Sequence, residues 1–426
     1  MNKSPWLDFD RPTFPTLSQN LEADVVIVGG GIAGVLTLYY LLKNTNKKVI
    51  LLEKNHIASG ATGHNAGFVV NTTEKVTQEL IEQFGLEKTQ EGLKELDAGW
   101  DLLKDVLETV GCQDQFTFLE GGRFGYTSAR WLLRAAEEEF SDEKIGRGAW
   151  RYMLSDKVIK DSEIPEHLKS YISIVSPKKI LEALKINDSG YVGAEIPYNT
   201  RIFKCRMNSA ALCYRIIHHL KQKYSDRFEV FENSFVQTIQ LESSPVRVRC
   251  QNGMIVCKDV ILCTNGYTNF KLKNGDSEIF QLKDSISGLV GYMVAYYDQN
   301  QNVWTSALFD DRNLYKNVQY FYYHRAPSFD YSKKMLTVVG GPERSLSKDE
   351  VYDAEETVSS EVLEIDREFL KKTFGEVRGS FDFVWQGLMG YTKNESRWVG
   401  RDLEYPHLLY NLGCNGIGLL SSIAGG

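Results

Sequence analysis

Residues 25–34 read VVIVGGGIAG and residues 49–53 read VILLE, and the fold turns on how these two stretches are joined. With Asp24 in front, the first is a short continuous apolar run ending in glycine, the pattern of a strand buried on both faces of a parallel sheet. Residues 33–43 (AGVLTLYYLLK) are apolar enough for a helix packed on that sheet, and 49–53 supply a second buried strand. Strand, helix and strand within about 30 residues make one βαβ unit. Gly29, Gly31 and Gly34 stand in G-x-G-x-x-G spacing where that strand gives way to the helix, the context the motif requires. Gly29 permits the tight turn, and Gly31 lets the backbone approach a pyrophosphate. Ile32 and Ala33 open a helix whose N-terminus offers N–H donors, and Gly34 lets helix and strand pack closely. Glu53 ends the second strand, where a carboxylate accepts hydrogen bonds from a ribose diol and repels a 2′-phosphate. These residues mark a dinucleotide site.

The following segment, IASGATGHNAG at 57–67, narrows the choice of dinucleotide. Small residues and hydroxyls there let a flat, bulky group lie against backbone, which suits a flavin better than a mobile nicotinamide. No second strand–GxGxxG–helix follows, so no separate NAD(P)H domain is expected.

The rest of the composition removes other classes. In 426 residues, 42% are apolar and 25% charged, as in an ordinary globular chain of two or three lobes. Lys and Arg number 49 against 56 Asp and Glu, a formal charge of −7, so a general nucleic-acid binder is not expected. No apolar window is long enough for a membrane span, and the N-terminus lacks a signal-peptide pattern. Seven cysteines with no CxxC pair and seven histidines with no HExxH give neither a disulfide framework nor a metal site. That usage suits a reducing compartment, with the cytoplasm as the expected location.

Along the chain, residues 1–20 read as an arm on the surface. Leu93, Leu96, Trp100, Leu103 and Leu107 recur at helical spacing within 86–110. Further helices are expected around 129–140 and 209–224, with a broken, turn-rich stretch at 171–200. Short β segments follow at 228–240, 246–250, 254–263, 288–298, 318–324 and 335–340, several alternating as in a half-covered antiparallel sheet. The expected fold class is therefore mixed α/β: a Rossmann-like nucleotide domain with a discontinuous second domain on a mixed, largely antiparallel sheet. The expected division assigns 21–85, 201–270 and 381–426 to the nucleotide domain, and 86–200 and 271–380 to the substrate or cap domain.

The chain resembles the FAD-dependent D-amino acid oxidase/glycine oxidase-like (DAO) oxidoreductases over nearly its whole length. The resemblance rests on VVIVGGGIAG at 25–34, LLEK at 51–54, ASGATGHNAGF at 58–68, DVILCTNGYT at 259–268 and NLGCNGIGLLSSIAG at 411–425. With Trp6-Leu7-Asp8 before the first strand, it looks most like the γ-glutamylputrescine oxidase-type subgroup. The resemblance implies FAD, a substrate domain with a large mixed sheet, and hydride transfer from the C–N carbon of an amine or amino acid to flavin N5, giving an imine that hydrolyses. The electrons then pass to oxygen or another acceptor. It also implies that Glu53 and Lys54, together with Ser59, Gly60, Thr62, Gly63, His64, Asn65, Ala66 and Gly67, surround the cofactor. Val236 then contacts the adenine, Thr264, Asn265 and Gly266 lie by the pyrophosphate, and Gly413, Asn415, Gly416, Ile417 and Gly418 approach the pyrimidine end. A closing helix is expected from about Leu419, and the chain stops at Gly426, sooner than the family's closing helix usually does.

His64 aligns with a histidine that is bonded to the flavin in dimethylglycine and sarcosine dehydrogenases. Two readings stand: a covalent flavin, or a neutral imidazole hydrogen-bonding the cofactor. An amino acid substrate requires a cation for its carboxylate. Arg325, at the end of YFYYHR (320–325), occupies the position of the glycine oxidase-like carboxylate-binding arginine, although His324 replaces the usual proline. The other reading of Arg325 is a strand-end arginine in solvent, and Arg344 is a second candidate. Tyr323, with Tyr267, Tyr292 and Trp385, either frames a substrate cage or fills core. The stretch around Arg397 departs from the Asp and Pro usual in the family. Two other functions stay open, an NAD(P)H-dependent flavin enzyme and a flavin-binding scaffold without turnover.

Overall fold

The computed structural model describes residues 2–426 apart from 74, 120–121, 161–162, 199–203, 242–244, 281, 310–319 and 331. Val25–Val28 lies at the centre of a six-stranded sheet, paired in parallel with Val49–Leu52 on one side and Asp259–Leu262 on the other. Phe228–Phe231 and Leu408–Leu412 extend it in parallel, and Trp398–Arg401 closes one edge antiparallel. The continuous apolar runs follow from burial on both faces. Val25, Ile27, Val49 and Leu51 face the helices Ile32–Asn44, Leu86–Val110, Ser209–Tyr224 and Leu419–Ala424. Val26, Val28, Ile50 and Leu52 face a second six-stranded sheet that runs from Leu21–Glu22 to Ser277–Phe280.

The other large body is a nine-stranded mixed sheet. Phe383–Thr392 forms one edge, and Ile286–Asp298 beside it pairs antiparallel with both Phe383–Thr392 and Met335–Ser345. Tyr320–Pro327, Trp304–Phe309, Arg123–Tyr126, Gly193–Pro197, Trp150–Ser155 and Ile172–Val175 follow in that order. One face of this sheet is covered by Pro177–Leu184 and Ser360–Phe374, which bury Tyr296, Phe321, Tyr323 and Val339. The opposite face turns toward the glycine motif.

Several expectations need correction. The helix Leu86–Val110 was assigned to the substrate domain, but Leu96, Leu103, Val106 and Leu107 belong to the core beneath the nucleotide sheet. The boundary at 381 comes too early, because Phe383–Thr392 hydrogen-bonds along the nine-stranded sheet. The boundary at 200/201, like residues 318–319 of the expected β segment, lies outside the described residues. The N-terminal segment is not a surface arm: Trp6, Phe14 and Leu17 are buried, and Lys3 bridges to Val384. Residues 171–200 are more regular than their turn residues suggest, holding two strands and a helix. The stretch 228–240 divides into Phe228–Phe231 and Val236–Gln240, which belong to different sheets. Among the described residues, no helix is long and apolar enough to cross a membrane. Nor does any group of three or more His, Cys, Asp or Glu among them stand ready to hold a metal ion.

Candidate functional site

The glycine turn is specified sterically. A Cβ on Gly34 would lie 1.9 Å from the Gly29 carbonyl oxygen, so only glycine lets the helix seat on the strand. Gly29 has φ +110°, and a Cβ there would lie 2.6 Å from the Cys263 carbonyl oxygen. Thr62 supports the helix start, its Oγ1 accepting from Ile32 N at 2.8 Å while its carbonyl accepts from Ser209 Oγ at 2.6 Å. Glu53 is held by two backbone donors, Gly30 N at 2.8 Å and Asn55 N at 2.9 Å. Burial raises its carboxyl above the usual range, and those donors partly oppose the rise. Each of its oxygens keeps lone-pair capacity for a diol. Lys54 lies over the Tyr267 ring, 3.9 Å from its centroid.

Asn65 organises the next turn. Its Nδ2 donates to Ala61 O, Thr62 O and Ser209 Oγ, and its Oδ1 accepts from Gly67 N at 2.6 Å. Its carbonyl accepts from the indole of Trp6 at 2.7 Å. His64 Nδ1 lies 3.1 Å from Gly60 O, and burial lowers the imidazole pKa, so the ring is neutral with its proton on Nδ1. From the far end, Cys414 N donates to Asn265 Oδ1 at 3.0 Å, and Asn415 Oδ1 accepts from Thr392 N at 2.8 Å. The turn at 263–266 and the loop at 413–418 are thereby fastened together.

These pieces meet around one cavity of about 640 Å³. Gly29, Gly31, Ile32, Ala33, Glu53, Lys54, Ser59, Gly60, Thr62, His64, Asn65, Ala66, Val236, Thr264, Asn265, Gly416, Ile417 and Gly418 all line it. Gly34, Gly63, Gly67, Gly266, Gly413 and Asn415 stand behind the lining. Gly63 and Gly67 pack against Leu7 and Trp6, Gly266 against Leu388, and Gly413 against Thr392. Asn415 spends its side chain on Thr392 N and Gly413 O. The lining fits a flavin dinucleotide. It offers a helix N-terminus, an acid for a diol, and Thr264 Oγ1, which is buried with no partner among the described residues.

The family model described as FAD dependent oxidoreductase (DAO) matches residues 24–426. The chain belongs to this family. FAD is its cofactor. OrdL of Haemophilus influenzae, named as an oxidoreductase, is 23% identical over 97% of this chain and 83% of its own length. The γ-glutamylputrescine oxidoreductase of Escherichia coli is 22% identical over 61% of this chain and 53% of its own. YhfW of Bacillus subtilis, named as a Rieske 2Fe-2S iron-sulfur protein, is 33% identical over 37% of this chain, a match that spans only 29% of that protein. Among solved structures, glycine oxidase from Geobacillus kaustophilus superposes with a TM-score of 0.68, covering 95% of this chain and 94% of its own at 14% identity. At that identity the likeness establishes the shared fold.

On the substrate side of this DAO-family protein, the two residues expected to carry the chemistry are elsewhere. Along Tyr320–Pro327, side chains alternate between faces. Tyr320 and Tyr322 line the cavity. Tyr323 turns the other way, fully buried, stacked on Phe374 and donating to Glu376 Oε1 at 3.3 Å. Arg325 follows it, its Nη1 donating to Asp298 Oδ2 at 2.8 Å and its Nε to Asn302 O at 3.1 Å. Neither lines the cavity, so both are corrected from reacting groups to parts of the covered face. Arg344 is engaged by Glu350 and Glu356. Trp385 is core, whereas Tyr267 and Tyr292 do line the cavity. His324, on the cavity face of its strand, is fully buried, donates from Nε2 to Ala66 O at 2.8 Å, and is pushed down to about 3 by burial, with Arg206 adding to the shift.

Sequence reading missed the residues that do line this side. Phe124, Tyr126, Trp150, Tyr152, Tyr320 and Tyr322 supply rings, and Glu138, Glu139, Asp142, Glu195 and Glu343 supply carboxyls. They come from distant segments and share no motif. Burial pushes Glu138, Glu139 and Glu343 each up to about 7. Glu343 pairs in register with Gly291, and Gly291 with Gly387, which abuts the His64 carbonyl. Two strand spacings put Glu343 roughly 10 Å across the sheet from the His64 turn.

Proposed function

We propose that this protein oxidises the C–N bond of a cationic amine. The observation that carries the reading is the sorting of charge around the cavity. Five carboxyl groups and a set of aromatic rings line its substrate side, while the only cations among the described lining residues, Lys54 and Arg397, sit with the nucleotide motifs. Aromatic faces and carboxylates together favour an ammonium over a carboxylate. An amino acid would need a partner for its acid group, and Arg325, the candidate for that role, is committed to Asp298.

FAD, when bound, supplies the hydride acceptor. The proposed cofactor contacts are the glycine turn with Ile32 and Ala33, Glu53 with Lys54, the 59–67 turn, Val236, Thr264 with Asn265, and the loop 416–418. The chain's own work is to hold the amine, exclude water and remove the ammonium proton, since only the neutral amine releases hydride. A carboxyl held near 7 is matched to that proton, and Glu343, facing the cofactor turn across the sheet, is the candidate. The neutral His64 keeps its Nε2 lone pair free for a flavin bond or hydrogen bond. Acid precipitation separates these: a yellow pellet means a covalent link, and a colourless pellet with FAD in solution excludes it.

The test of function is anaerobic mixing of the FAD-loaded protein with monoamines, diamines and D- and L-amino acids. Bleaching by amines and not by amino acids is the expected result. Bleaching by amino acids alone would overturn the reading, and bleaching by NAD(P)H without any amine would favour a reductase-type flavin enzyme.

A further inference from the structure

Arg397 precedes the edge strand Trp398–Arg401, at the carboxyl end of the parallel strands where ligands of such sheets bind. Trp398 is in register with Leu412, so Arg397 lies against the start of the closing loop. A Cβ on Gly413 would lie 3.9 Å from its Cα. The guanidinium is fixed under that loop. Its Nη1 donates to Ser421 Oγ at 3.2 Å, and its Nη2 to Ser422 Oγ at 3.0 Å and to Asn411 Oδ1.

All three acceptors are neutral, and Nε is buried with no partner among the described residues. No described carboxylate pairs with this cation. Its nearest titratable neighbours are the thiols of Cys263 and Cys414, and burial lowers the guanidinium to about 10. Cys263, pushed up to about 12 by burial, stays uncharged. The residue is part-buried at the cavity wall, and a cation so enclosed is costly unless an anion joins it.

The place suits one particular anion. Arg397 lines the cavity between Cys263, whose carbonyl abuts Gly29, and Cys414, whose Cβ abuts Gly418. There the first glycine turn and the closing loop face each other. The other lining cation, Lys54, is engaged over Tyr267 beside Glu53 at the ribose end. We propose that Arg397 is the counter-ion of the FAD diphosphate. The proposal rests on FAD binding alone and is independent of the amine reading.

Apoprotein of wild type, Arg397→Met and Arg397→Lys is titrated with FAD, by quenching of flavin fluorescence, and with ADP, by calorimetry. ADP carries the diphosphate without the flavin ring. Arg397→Met should weaken both ligands by a common factor of roughly 10- to 100-fold. Arg397→Lys should recover part of the loss. The thermal midpoint of Arg397→Met apoprotein should match or exceed wild type, because a part-buried cation without a carboxylate partner has been removed. Loss of FAD affinity with unchanged ADP affinity would move the cation to the flavin ring and overturn the proposal. A midpoint that falls together with affinity would reduce Arg397 to a strut for the last helix, with the same consequence. Amine bleaching is scored separately, so either reading can fail alone.

Discussion

The turn at Gly29–Gly34 and the strand Tyr320–Pro327 both border the cavity, yet they encode their roles in opposite ways. At the turn, backbone does the work, and the required residue is the one with no side chain. The constraint is local: Gly34 must meet the Gly29 carbonyl and Gly29 must meet Cys263. Along the strand, side chains do the work, and which of them enter the cavity depends on which face the nine-stranded sheet turns toward the cofactor. That choice is made by helices 177–184 and 360–374, far away in sequence. A one-residue change of parity exchanges Tyr322 for Tyr323.

The largest test of this contrast is Arg325. If it belongs to the covered face, Arg325→Leu strands the Asp298 carboxylate in a nearly buried site and costs about 3–5 kcal/mol of stability. The KM for substrate, measured at a temperature where the variant is folded, should stay unchanged. Acid should weaken the same element. Burial alone would raise the Asp298 carboxyl, but Asn300 N, Thr337 Oγ1 and Arg325 outweigh it, and the folded value lies below the ordinary carboxylate value. A depressed acid adds stability above its unfolded pKa and loses it as pH falls through the folded value. Wild type should therefore lose this contribution below about pH 4, and the loss should be absent in Asp298→Asn.

Gly34→Ala probes the other region. The added methyl drives into the Gly29 carbonyl and should cost about 3 kcal/mol, read by urea denaturation of the apoprotein. Pigment should be lost from the purified variant as well, because the same turn borders the cofactor.

Glu343→Gln sharpens the substrate side. In wild type, the carboxyl ionises as pH rises through about 7, so the KM for a cationic amine should fall between pH 6 and 8. The variant should hold the KM that wild type shows at low pH, roughly 10-fold above the wild-type value at pH 8. Glu138 and Glu139 titrate in the same range, so the diagnostic quantity is the difference between the two profiles. Identical profiles would remove Glu343 from the site.

What could be read from the sequence follows the same division. The places of the glycine turn, the 58–68 segment and the 411–418 loop at the cavity were legible because local backbone at fixed spacing sets them, and that of Glu53 because it directly follows the second buried strand. The apolar runs at 25–28 and 49–52 were legible because both faces are buried. The acids and rings of the substrate side were not, since Phe124, Glu138, Glu195, Tyr322 and Glu343 come together only when five separate strands and helices assemble. Trp6 was misread for a related reason. A polar, proline-bearing segment looks peripheral, but its indole donates to Asn65 O and packs on Gly67, a partnership no local pattern announces.

The smallest effect isolates the parity itself. Tyr322 and Tyr323 are neighbours of the same type, and each phenol has a partner, Tyr320 for the first at 2.6 Å and Glu376 for the second at 3.3 Å. Tyr323→Phe removes a hydrogen bond to a carboxylate on the covered face and should cost about 1 kcal/mol of stability. Its kcat/KM should stay at the wild-type value. Tyr322→Phe leaves the ring in place but removes a hydroxyl from the cavity wall, and should lower kcat/KM for the amine about 3-fold with the thermal midpoint unchanged. The two variants differ by one position and one face. Were the effects exchanged, the strand would run in the other register, and Arg325 would return as the substrate's partner.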